Sequence, residues 1–138
     1  MKIIALDIGD VWTGIAITDP LHILARPYKT VATKELISSL REIVASESVK
    51  RIVVGYPKTM RGTQSDQTQK VIAYTDQLKK EFASMEWIMW DERLTSKMAG
   101  KITSRKTKED KLQVHSVAAA YILSSYIEFL NSQKSFDE

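Results

Sequence analysis

The chain contains no cysteine, which excludes disulfide staples and zinc sites built on thiolates. Its two histidines, His22 and His115, lie far apart and make no recognisable metal pair. No apolar stretch approaches the ~20 residues of a membrane span. The opening run MKIIALDIGD is interrupted at Asp7, too early for the apolar region of a secretory signal. Internal repeats and low-complexity segments are absent too. These absences predict a soluble, cytoplasmic protein with no membrane partner.

What is present is ordinary in bulk. The sequence has 138 residues, 43% hydrophobic and 27% charged, and a chain of this size buries roughly two thirds of its extended surface. A single domain over residues 1–138 is expected, with 132–138 (SQKSFDE) as a disordered tail. The net charge of +3 and isoelectric point near 9.1 are compatible with nucleic acid without requiring it.

Hydrophobic patterning gives the order of elements. KIIALDI (Lys2 to Ile8) is a nearly continuous apolar run, as expected of a central strand buried on both faces. TGIAIT (Thr13 to Thr18) follows after a short turn and predicts a hairpin. Ile23 to Val31 predicts a third strand, at an edge because Pro27 cannot donate to a ladder. Thr33 is placed to cap a helix through Leu36, Leu40 and Ile43. RIVVG (Arg51 to Gly55) predicts a buried strand, and Tyr56 to Ser65 a loop. A second helix is expected from Asp66 to Phe82, and EWIMW (Glu86 to Trp90) as another buried strand. A short helix from Leu94 or Thr95 to Ile102 and a mobile, charged loop from Thr103 to Lys111 come next. The last helix is expected from Leu112 to Leu130, with Val114, Val117, Ala118, Tyr121, Ile122, Ser125 and Phe129 facing inward. Strands joined through helices run parallel, whereas the opening meander is antiparallel. The sum is an α/β fold: a five-stranded mixed sheet with helices on both faces.

Two acidic positions stand out. Asp7 interrupts an apolar strand, and a buried charge is costly unless it is paired or bound to metal. A hydrogen-bonded aspartate at a strand end would look the same. Asp91 and Glu92 follow the EWIMW strand directly. In open α/β sheets, ligand sites collect at the carboxyl ends of parallel strands, so acids there could share a hard divalent cation such as Mg²⁺. Alternation sends Asp91 and Glu92 to opposite faces, so only one reaches such an ion; a plain surface charge beside Arg93 is the rival reading.

Four segments then resemble one family. LDIGDVWTGIAITD has its spaced Asp, Gly, Gly and Ala; IVVGYPKTMRGTQSDQT its Val-Gly-x-Pro loop; WDERLTS its Asp-Glu-Arg-Leu-Thr signature; VHSVAAAYILSSYIE its last helix. Together, in order and across nearly the whole chain, they are similar to the YqgF/RuvX family. The resemblance implies a ribonuclease H-like fold and Mg²⁺-dependent (alternatively Mn²⁺-dependent) nuclease activity. It implies processing of the 5′ end of precursor 16S rRNA, or alternatively resolution of Holliday junctions in branched DNA. By position, Asp7 matches the first catalytic acid and Glu92 the second, both as metal ligands. The third acid is replaced by His115.

An imidazole offers one neutral lone pair where a carboxylate offers charge and two oxygens, and it suits Mn²⁺, Fe²⁺ or Zn²⁺ better than Mg²⁺. Three readings stay open: His115 is a working ligand or base, the site survives on two acids helped by Asp10, or the protein is a weakly active or non-catalytic nucleic-acid-binding module. Val11 and Trp12 also stand where the family places basic residues, and Trp12 either stacks on an unpaired base or packs under its loop. Lys58, Arg61, Arg93, Arg105 and Lys106, with Lys97, Lys101, Lys108 and Lys111 nearby, would form a basic rim for a phosphate backbone or simply a solvated charged surface. An ATP-binding role is disfavoured, since one small domain cannot close two lobes and no second phosphate loop is visible. Monomer and dimer both remain open.

Overall fold

The computed structural model describes residues 1–56, 66–91 and 108–137. Five strands form one sheet in the order β3-β2-β1-β4-β5. β1 (Lys2–Ile8) and β2 (Trp12–Thr18) form the expected hairpin. β3 (Ala25–Ala32) pairs antiparallel with β2 and takes the edge that Pro27 requires. Its register shifts opposite Ile15 and Ala16, where Lys29 and Pro27 are successive partners, so Tyr28 bulges beside the proline. β4 (Val49–Tyr56) and β5 (Glu86–Asp91) run parallel to β1.

Among the described residues, three α-helices cover the sheet. On one face lie α1 (Leu36–Glu47) and α2 (Asp66–Glu81). Ile4, Leu6 and Ile8 of β1, Ile15 and Ile17 of β2, and Ile52 and Val54 of β4 meet Leu40, Val71 and Leu78 there. On the other face lies α3 (Lys108–Asp137), against Ile3, Ala5, Ala16 and Val53. Alternate residues of the central strands thus feed two separate cores, which is why those strands read as unbroken apolar runs. The buried alanines all sit on the α3 side (Ala5, Ala16, Ala119, Ala120), among larger residues such as Ile3, Val53, Leu123 and Tyr126, whereas the α1 and α2 side is built from larger aliphatic and aromatic side chains.

Five expectations are corrected. Thr33 does not cap α1: Thr33–Glu35 is a 3-10 turn, Glu35 is the N-cap residue, and no side chain caps it. The Thr33 hydroxyl is committed instead to the carbonyl of Gly9, 2.7 Å away, and lies 2.9 Å from the Thr13 hydroxyl. β5 is not a fully buried strand but a half-buried one, because it forms the second edge of the sheet. α3 begins at Lys108, inside the stretch assigned to a loop, and runs on to Asp137 through the stretch assigned to a tail. Its inward stripe is also rotated: Ser116, Ala119, Ala120, Ile122, Leu123, Tyr126 and Ile127 are buried, whereas Phe129 is 45% exposed. The helix is apolar on nearly every side, so periodicity cannot choose among adjacent stripes. The short helix from Leu94 or Thr95, and most of the loop after Tyr56, lie outside the described residues.

Candidate active site

Asp7 sits at the carboxyl end of the central strand. It belongs to the set Ile3, Ala5, Asp7, so it points to the α3 side. Its partner across the hairpin is Gly14, and its parallel partner is Gly55, which in turn pairs with Trp90. The carboxylate is half-buried, and among the described residues it has no hydrogen-bond or ion-pair partner.

Gly14 explains how α3 reaches this site. A Cβ built on Gly14 would collide with the carbonyl oxygen of His115 and stand 2.7 Å from the amide of Ser116. The helix backbone at His115 therefore rests directly on Gly14, the residue paired in register with Asp7. His115 also lies one turn before Ala119 on the buried stripe 119, 122, 126. From Gly14 the helix crosses the sheet diagonally. By Tyr126 it meets Arg51 of β4, whose guanidinium donates to the Tyr126 hydroxyl at 3.1 Å, and Trp90 of β5 at a ring separation of 5.5 Å. Gly14 was visible in the sequence only as a spaced glycine; that a helix backbone needs its missing side chain is a tertiary fact.

Thr33 is the second residue that sequence reasoning misplaced. Its amide donates to the carbonyl of Val11 at 2.8 Å, its hydroxyl donates to Gly9, and its own carbonyl accepts from the Tyr74 hydroxyl at 2.8 Å. The Gly9 amide closes the same turn on the carbonyl of Trp12 at 2.9 Å, and a Cβ at Gly9 would come within 2.7 Å of that oxygen. One threonine therefore ties the turn beside Asp7 to α2.

The other acids divide by face. Asp10 is exposed and lies 3.8 Å from Lys70. It lines a pocket of about 300 Å³ with Gly9, Lys34 and Tyr74, on the α1 and α2 side, so it does not join Asp7. Asp91 is paired in register with Tyr56 and follows Trp87 and Met89 on that same side. Among the described residues no three acids or histidines gather as a ready-made metal cluster. Glu92, Arg93, Lys58, Arg61, Arg105 and Lys106 lie outside the described residues. His22 lies at the opposite end of the sheet, where its Nε2 donates to the Met1 carbonyl oxygen at 2.6 Å, and has no part in this site.

Residues 1–129 match the family model described as "RuvX: Holliday junction resolvase". The chain belongs to the RuvX family. A relative from Rubrobacter xylanophilus named "Putative pre-16S rRNA nuclease" is 38% identical over 128 residues, 92% of each chain. One of the same name from Clostridium tetani is 42% identical over 135 residues, 93% of this chain and 96% of that one. RuvC of Thermus thermophilus, solved with a Holliday junction substrate, matches with a TM-score of 0.57 at 13% identity, over 94% of this chain and 96% of that one. That likeness establishes the ribonuclease H-like fold. Among the described residues of this RuvX-family chain, no helix is long and apolar enough to cross a membrane.

Proposed function

We propose that this chain is a cytoplasmic, divalent-metal-dependent nuclease, a single ribonuclease H-like domain that hydrolyses phosphodiester bonds in structured nucleic acid. The 5′ end of precursor 16S rRNA is its substrate on this reading, in keeping with the names of its relatives. The observation that carries it is the Asp7 carboxylate, half-buried at the end of the central strand and without a partner among the described residues. A carboxylate removed from water without a counter-charge is costly, and a hard cation supplies that charge through oxygen ligands. The donor therefore fits Mg²⁺ or Mn²⁺.

Asp7 and Glu92 are the proposed ligands. Asp91 lies on the α1 and α2 side, away from Asp7. A cation held by these acids would activate water and stabilise the leaving oxygen. His115 is the third group, held over β2 by Gly14. Its imidazole accepts a proton from the attacking water or gives a nitrogen ligand, and the latter moves metal preference toward Mn²⁺. Lys58, Arg61, Arg93, Arg105 and Lys106 hold the phosphate backbone, so binding weakens steeply with salt.

The test is cleavage of a labelled precursor-rRNA fragment and a four-way DNA junction, with Mg²⁺ or Mn²⁺, by the native protein, Asp7→Asn and His115→Asp. Cleavage of the RNA that disappears in Asp7→Asn is expected. Cleavage of the junction in preference to the RNA would transfer the reading to resolution, the activity in the family's description. His115 supports a second reading, a nucleic-acid-binding module with little turnover; cleavage gained only in His115→Asp would establish it. If none of the three proteins cleaves either substrate, the nuclease reading fails.

A further inference from the structure

Trp12 is the first residue of β2. Side chains alternate along a strand, and Gly14 is paired with Asp7, so Trp12 shares the α3 side of the sheet with the proposed reacting carboxylate. It stands two residues along β2 from Gly14, about 7 Å. Every later residue of β2 is buried, yet Trp12 is 38% exposed and its neighbour Val11 is 65% exposed. Among the described residues nothing accepts the indole N–H.

A scattered exposed aromatic is ordinary, but this one is held in place. The turn that carries it is fixed at Gly9, Val11 and Trp12 by the hydrogen bonds from Thr33 and from the Gly9 amide. An indole on a rigid turn loses little freedom when a ring stacks on it, which is what makes aromatic platforms effective for single strands. The ring has no charge, so it adds nothing to phosphate attraction. Its ligand is a flat, uncharged π surface, and in nucleic acid that surface is available only where a base has left its helix.

We infer that Trp12 is a stacking platform for an unpaired nucleobase lying within a few nucleotides of the scissile phosphate. This rests on the nuclease reading for its position relative to the reaction, though not for the binding itself. It deepens that reading by naming the substrate class: a strand that is single or splayed at the cut, in place of a continuous duplex. The platform selects and positions the strand, and it takes no part in proton or phosphoryl transfer.

The test is a titration of tryptophan emission in the full chain, without metal, against a single-stranded RNA 12-mer and against the same sequence as a blunt duplex. Native protein is expected to bind the single strand with quenching. Trp12→Phe keeps the affinity within a few-fold and loses most of the quenching, since Trp87 and Trp90 remain. Trp12→Ala binds the single strand about 5- to 150-fold more weakly, with duplex affinity unchanged. Quenching that persists in Trp12→Phe overturns the inference even if Trp12→Ala does not fold. Equal losses for strand and duplex in Trp12→Ala, or no loss, overturn it as well. Binding of both nucleic acids with no dependence on Trp12 removes the platform and leaves the nuclease reading intact. Trp12-dependent binding by a protein that never cleaves removes the nuclease reading and leaves the platform.

Discussion

Replacing Gly14 by alanine places one methyl group where the carbonyl oxygen of His115 now lies, and only 2.7 Å from the Ser116 amide. Both obstacles are backbone atoms of α3, so no side-chain rotation relieves the overlap. Either the helix start lifts or β2 bends, by about 1 Å, to reach ordinary van der Waals separation. Overpacking of this kind costs about 1–3 kcal/mol. For a chain of this length that lowers Tm by about 3–15 °C, at roughly 3–5 °C per kcal/mol. The catalytic consequence is larger than the thermal one, because a displacement of about 1 Å at a reacting group can cost about 100-fold in rate. Thermal melts by circular dichroism, with cleavage assays run well below the melt, separate the two effects. Ile122→Val is the control: Ile122 is buried in the same core further along α3, and losing one methylene costs about 0.5–1.5 kcal/mol without moving the helix start. A Gly14→Ala protein that melts and cleaves like the native one would refute the claim that this contact seats α3 on β2 beside Asp7.

Thr33→Val removes the hydroxyl from the Gly9 carbonyl and from the buried Thr13 hydroxyl; unsatisfied buried polar groups should cost about 1–3 kcal/mol in chemical denaturation, and native-like stability would show that the turn needs no such tie. Asp19 caps the β2–β3 connection by accepting from the amides of Leu24, Ile23 and Leu21 at 2.7, 2.8 and 3.1 Å, and the Leu24 amide foremost, helped by the others, holds its carboxyl below the usual carboxylate range. A depressed carboxyl stabilises the folded form above its unfolded value and loses that contribution as pH falls through the folded one. Amide exchange at residues 19–24 should therefore accelerate only below about pH 4, and in Asp19→Ala it should be fast at every pH; an unchanged exchange profile in that variant would show that the carboxylate does not organise the loop.

Much of the sheet was legible because buried central strands leave an unmistakable signature: KIIALDI and RIVVG are apolar on both faces since both faces are cores. Pro27 gave away its edge for an equally local reason. Where the readings diverge, the deciding contact is distant in sequence. The stripe of α3 follows from its contact with Gly14 of β2, about a hundred residues earlier in the chain. Thr33 looks like a cap to any local rule, yet a turn over twenty residues upstream takes its hydroxyl. Of the candidate site, Asp7 could be read directly as a charge in an apolar strand, whereas the seating of the His115 backbone on Gly14 comes from the crossing helix. The separation of Asp10 and Asp91 from Asp7 follows from which face each occupies.

The unequal sizes of side chains on the two faces of the sheet have a consequence for how this protein tolerates change. On the α1 and α2 side, Ile, Leu and Val can trade places while total volume is kept. On the α3 side the strands meet the helix through Ala5, Ala16 and Gly14 as well as Ile3 and Val53, and Gly14 admits no larger side chain without raising the helix. Sequence drift should therefore be easier at the aliphatic positions than at Gly14. The strand crossing beside Asp7 has little room to vary, and the aliphatic layer behind it absorbs the mutations.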